Sequence, residues 1–372
     1  MPKDVSKEKS IRKAKTTTEL VISAIIIGTS VYIGKSCFDR AVKVPSTQKE
    51  AAQIEDITIP DPSETVDPNK IVFTAKPVNT KLKFSGDLVL VNNDYQYYRT
   101  GNEKLVSIME KNDENDRSNF TAVDYDYTIL EQVYSPLAKM VDDWYSIYSN
   151  DTLIVYGSYR TTEFQQQLYD QFTANTAGDG EAPIVAPPGF SEHETGLAFD
   201  FSETVEYDYQ GTGDFQWLND NCHKYGFVIR YAADKETITE YRSEPWHFRY
   251  VGIPHSKYMK ENNLCLEEYI ELLRNAHPYS GEHLEVTDEF GAAYEIYFYP
   301  SEDAEEYTNV PVPTGVKYDI SGNNVDGFIV TVHKDAKVEI GEENPTLTTA
   351  PPSTETTDTT ETTTAETTEE SY

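Results

Sequence analysis

Apolar and polar positions divide the chain into stretches of different character. A polar, basic segment (1–15, MPKDVSKEKSIRKAK) leads into an apolar run at 16–34, TTTELVISAIIIGTSVYIG, and then into a polar, acidic, proline-bearing stretch over 35–80. From Lys81 the apolar residues begin to recur at regular intervals. GDLVLVNN predicts a short strand, SPLAKMVDDWYSIYS an amphipathic helix and DTLIVYGSY a buried strand. TTEFQQQLYDQFTANT predicts a helix capped by threonine, and QWLNDNCHKYGFVIRY a helix that stops near Gly226 and continues as a strand. This mixture predicts an α+β domain over 81–275. Segments such as AAYEIYFYP and DGFIVTVHK, separated by SGNN and prolines, predict a small β-rich appendage over 284–340. The tail, 341–372, has 13 threonines in 32 residues and too few apolar side chains for a core, so disorder is expected there.

Charge narrows the set of partners. The chain of 372 residues carries a formal net charge of -33, with six Lys or Arg against two acids in 1–15 and eight acids without a base in 341–372. So acidic a body repels nucleic acid and anionic headgroups, and no nucleic-acid partner is expected. A basic flank followed by an apolar run fits a membrane anchor or a secretory signal. No A-x-A cleavage site is evident and a lysine precedes Cys37, so the anchor is the preferred reading. It implies a cell-membrane protein facing outward, with 35–80 as its stalk; a secreted protein is the alternative. Three cysteines, Cys37, Cys222 and Cys265, are too few for a disulfide framework, and pairing of Cys222 with Cys265 stays open.

Two segments carry chemistry. In SEHETGLAFDF, 191–201, alternation sends Leu197, Phe199 and Phe201 into a core and turns Ala198, Asp200 and Ser202 the other way. A carboxylate in such a strand needs a partner, and His193 stands before it across Gly196. In SEPWHFRYVG, 243–252, Glu244 precedes His247 by three residues, and Pro245 bends the chain so that both can reach one place. Two histidines, an aspartate and a free glutamate match a catalytic zinc site, with three ligands, an open position and a base. In GSYRTTEFQ, Arg160 at a strand end suits a developing oxyanion or a carboxylate.

In order, GSYRTTEFQ, PPGFSEHETGLAFDF, YGFVIRY and EPWHFRYVG resemble the VanY-type zinc D-alanyl-D-alanine carboxypeptidases and their LD-carboxypeptidase relatives. The resemblance covers 81–275. It implies a compact α+β domain with an antiparallel sheet under the zinc, His193, Asp200 and His247 as ligands, and Glu244 as catalytic base. It further implies that Arg160 stabilises the tetrahedral intermediate, that Gln165 and Ser191 hold the terminal D-alanine, and that peptidoglycan stem peptides are the substrate. A D-Ala-D-Ala dipeptidase or wall endopeptidase has the same ligand set. A non-catalytic zinc-containing surface domain has no need of Glu244, and two histidines disfavour a calcium-stabilised surface protein.

Overall fold

Thirteen strands organise the described residues: β1 (Phe73–Asn79), β2 (Leu105–Ser107), β3 (Thr121–Ala122), β4 (Thr128–Leu130), β5 (Leu153–Gly157), β6 (Ala198–Glu203), β7 (Phe227–Tyr231), β8 (Glu244–Tyr250), β9 (Leu284–Thr287), β10 (Ala293–Pro300), β11 (Tyr307–Pro313), β12 (Val316–Gly322) and β13 (Gly327–Lys337). The computed structural model describes residues 71–99, 101, 103–176 and 185–338. The expected basic segment, membrane anchor and disordered tail, and positions 35–70 of the expected stalk, lie outside them. Among the described residues no helix is long and apolar enough to cross a membrane.

The central sheet has the order β3-β5-β6-β8-β7. Its pairings are antiparallel except at the edge, where β3 runs parallel to β5. Leu197, Phe199 and Phe201 enter one core with Phe227 and Phe248, as the alternation predicts. Phe199 opposes Phe248 across the β6/β8 ladder and stacks on it at 5.6 Å. Such cross-strand aromatic pairs add ~0.5–1.5 kcal/mol beyond area burial. The helix Glu131–Tyr148 covers this core with Val133, Leu137, Met140, Val141 and Trp144, spaced for one helical face. It begins four residues before the predicted segment and contains Pro136, whose missing N–H leaves the carbonyl of exposed Gln132 to solvent. The other expected helices form at Thr162–Thr176, where Thr161 Oγ1 accepts from Phe164 N–H, and at Gln216–Asn221. The latter tightens to a 3₁₀ turn and stops at left-handed Gly226.

Three expectations change. GDLVLVNN begins in a turn at Asp87 and Leu88, forms no strand and joins no sheet. Leu88 and Leu90 enter a second core while Val89 and Val91 enter the first, so the segment is a seam between them. Its backbone is satisfied largely by side chains: Arg249 donates to the carbonyls of Asp87 and Val89, and Asn324 to that of Leu90. Positions 73–79 of the expected stalk form β1, which pairs with β11. The expected appendage is not separate either. Its sheet, β12-β13-β10-β9, packs Leu284, Val286, Ile296, Phe298 and Ile329 against Leu266, Tyr269, Ile270 and Leu273 of the helix Leu266–Ala276. Burying such side chains is worth ~1.5–3 kcal/mol each, so neither layer leaves its apolar face bare. Cys222 and Cys265 are buried free thiols.

Candidate metal centre and active site

His193, Asp200 and His247 come together with ligand atoms within 4.8 Å of one another, the one such cluster found among the described residues. Asp200 and His247 are direct register partners on β6 and β8. His193 rides on a 3₁₀ turn, Glu192–Thr195, that ends at left-handed Gly196 (φ 72°), two residues before β6. The turn is held at its start by Glu194, whose carboxylate accepts from the backbone N–H groups of Gly189 (2.6 Å) and Ser191 (3.4 Å).

Each histidine is oriented from behind. His193 Nδ1 lies 2.9 Å from the Ser158 carbonyl, which can only accept, so its Nε2 is the bare nitrogen, 3.2 Å from Asp200 Oδ2. His247 Nε2 faces Glu192 Oε2 at 3.3 Å and its Nδ1 faces Asp200 Oδ1 at 2.9 Å. Despite that approach, buried Asp200 Oδ1 has no hydrogen-bond partner. Three converging ligand atoms, one of them from a carboxylate with an orphaned oxygen, fit a divalent cation better than a hydrogen-bonded triad. Glu244 Oε2 stands apart at 3.8 Å from His247 Nδ1. Between the pairs Ile229/Phe248 and Tyr231/Glu244, three residues of β8 (245–247) oppose one of β7 (Arg230), and this bulge around Pro245 brings Glu244 to the His247 side.

Burial and charge set the protonation states. Burial raises Glu244 to about 7. Burial and the Arg160 guanidinium lower His193 to about 4. Burial pulls His247 down, but the Asp200 and Glu192 carboxylates outweigh it and raise it to about 9. Burial likewise opposes the charge on Asp200, which His193 and His247 nevertheless hold well below the usual carboxylate range. A cation held between these groups would take the place of the proton they otherwise draw in.

The remaining predicted residues surround this centre. Arg160 lies three residues beyond the end of β5, with Nη2 3.6 Å from Asp200 Oδ2 and its side chain partly exposed. Gln165 is fully buried; it donates to the Ala186 carbonyl at 2.7 Å and accepts from Arg160 at 3.4 Å. Ser191 is buried at the start of the 3₁₀ turn, where it caps with Glu194. Sequence reasoning missed Glu192, Arg230, Arg249 and Gly157. Arg230 and Arg249 sit in the apolar runs FVIRY and HFRYVG, and the demand for a partner applied to Asp200 would have called for a buried acid near them.

Comparisons with known proteins agree with this geometry. A family model described as D-alanyl-D-alanine carboxypeptidase (VanY) matches residues 129–253. A D-alanyl-D-alanine carboxypeptidase of Enterococcus faecium is 32% identical over 258 residues, 69% of this chain and 78% of that protein. The bifunctional D-Ala-D-Ala dipeptidase and D-Ala-D-Ala carboxypeptidase VanXYC of Enterococcus gallinarum is 35% identical over 31% of this chain and 64% of its own. Among solved structures, the vancomycin-resistance D,D-dipeptidase VanXYg, in complex with a D-Ala-D-Ala phosphinate analogue, superposes with a TM-score of 0.60. It is 31% identical, over 70% of this chain and 99% of that one.

Proposed function

Because the chain belongs to the VanY family of D-alanyl-D-alanine carboxypeptidases, we propose that its site is a zinc centre that removes the C-terminal D-alanine from peptidoglycan stem peptides. The observation that carries this reading is the convergence of His193 Nε2, His247 Nδ1 and an orphaned Asp200 oxygen beside a buried, unligated Glu244. Zinc is favoured over calcium or magnesium by the two imidazoles in the donor set. When bound there, it supplies a Lewis acid and brings the pKa of a water down towards about 7.

The chain's own residues do the rest. Glu244, raised to about 7, accepts the proton of the attacking water and delivers it to the departing D-alanine amine. Arg160, held beside Asp200 but open to solvent on one side, offers its guanidinium to the oxygen that gains charge at the scissile carbonyl. Gln165 bonds both Arg160 and the Ala186 carbonyl, so its part in holding the terminal D-alanine runs through the position of that arginine. Ser191 shapes the same pocket by starting the turn that carries His193. The basic segment 1–15 and apolar run 16–34 support placement on the outer face of the cell membrane, where such peptides are found.

The test is mass spectrometry of defined muropeptides, pentapeptide and tetrapeptide, and of free D-Ala-D-Ala, after incubation with the zinc-loaded protein. Release of single D-alanine from a stem peptide is expected. Glu244→Gln is expected to keep its zinc and lose turnover by ~10²-fold or more, because proton transfer alone is removed. No D-alanine released from any of the three substrates, or zinc lost in Glu244→Gln, overturns the reading.

A further inference from the structure

Glu192 has no role in the chemistry above, yet it is buried against a metal-site residue. Its two oxygens face different ways. Oε2 lies 3.3 Å from His247 Nε2, while Oε1 accepts from Arg230 Nε at 2.7 Å and Arg249 Nη1 at 2.6 Å. Arg249 continues to the carbonyls of Asp87 and Val89 at 3.0 and 2.8 Å. Arg230 continues to Glu267 through two bonds of 2.9 and 2.6 Å, and Asn92 completes the Glu267 carboxylate at 3.1 Å. The side chains of Glu192, Arg230 and Arg249 are all fully buried. Charges taken this far from water are tolerated when each is closely partnered, as these three are.

A neutral imidazole carries hydrogen on one nitrogen and a lone pair on the other, and an ionised carboxylate can only accept. The nitrogen facing Glu192 therefore carries the hydrogen. We infer that Glu192 is the positioning residue that holds His247 in its Nε2–H form, so that Nδ1 is the atom offered to the metal, with Arg230 and Arg249 holding Glu192 in turn. Carboxylates behind ligand histidines fix the ring's orientation and raise its basicity as a ligand. His193 is oriented differently, by the Ser158 carbonyl on its Nδ1, and so offers Nε2. The two histidines thus meet the ion through opposite nitrogens. The inference rests on the zinc reading of the site.

Long-range proton–nitrogen correlation NMR of the zinc-loaded, histidine-labelled chain reads the tautomers directly. Hydrogen on His247 Nε2 and metal on Nδ1, with the reverse at His193, is the expected spectrum. Metal on His247 Nε2 removes the role of Glu192 and leaves the zinc reading standing; a chain that takes up no zinc brings both down. Chelator competition gives the second measurement, in which Glu192→Gln is expected to weaken zinc binding about 10–100-fold. Glu267→Gln, two steps further out in the cluster, is expected to lower thermal stability while zinc affinity stays close to that of the parent. If the two variants lose zinc affinity alike and in proportion to stability, Glu192 is a structural residue and the inference fails. Should Glu192→Gln not fold, the tautomers of the parent chain decide.

Discussion

Glu244 is a carboxylate kept for its proton affinity, and that has a cost to stability in the metal-free chain. Burial raises it from the ordinary value of 4.5 to about 7, so between those values the folded state binds a proton that the unfolded state has released. Stability then falls as pH rises from 4.5 to 7, and the full penalty applies above 7. Glu244→Gln has no charge to bury. In chelator-treated protein the variant should match the parent near pH 4.5 and exceed it by roughly 1–3 kcal/mol at pH 8, measured by denaturant unfolding. An equal pH dependence in the two proteins would mean that Glu244 is solvated and ionised in the fold, and so poorly suited to act as a base. His247 follows the opposite rule for a base raised to about 9: its contribution is complete below its ordinary value of 6.5 and is lost as pH rises through 9.

At the level of elements, the site exists because three adjacent strands and one turn converge. β6 and β8 pair Asp200 with His247, and β5 pairs Gly157 with Asp200 from the other side. Gly157 makes room for the carboxylate. A Cβ placed on Gly157 would overlap Asp200 Oδ2 and lie 2.7 Å from its Cγ and 2.9 Å from its Cβ, and the Cβ is fixed to the backbone and cannot swing aside. Gly157→Ala is therefore expected to displace Asp200 and weaken zinc binding by about tenfold or more, since overpacking of this kind costs ~1–3 kcal/mol. Chelator competition beside a thermal melt separates this from general unfolding. Unchanged affinity would show that the strands can part enough to accept the methyl group.

Across the whole molecule, the C-terminal sheet is a support for the peptidase layer. The helix Leu266–Ala276 lies on it through Leu266, Ile270 and Leu273, and carries Glu267 into the charge cluster behind His247. The described residues fall in one compact unit, and the seam Leu88–Val91 is buried on both of its faces. A chain ending at residue 277 should consequently be insoluble or lack a cooperative melt. Ile296→Ala, at a fully buried position in β10, should cost ~2–5 kcal/mol and move the loss of zinc binding and the loss of structure together in denaturant. Two separate transitions would instead mark the sheet as an independent domain.

Local patterns along the chain determined the α+β class, three of the seven described α-helices, the alternation that sends Leu197, Phe199 and Phe201 inward, and the candidate pairs His193/Asp200 and Glu244/His247, because residue type and short spacing are one-dimensional quantities. The helix stop at Gly226 and the threonine cap at Thr161 belong with them, since each is settled within a few residues. Tertiary structure decided what depends on distant partners. LVLV is a continuous apolar run that reads as a strand, but Arg249, Asn324 and Ser321 take up its backbone groups, and no neighbouring sequence announces that. β1 reads as polar stalk until β11, more than two hundred residues away, supplies its ladder. Glu192 looks like one more acid in an acidic chain until Arg230 and Arg249 close on it in the dry interior. A charge there is stable through its partners, and partners so far apart in the chain meet only when it folds.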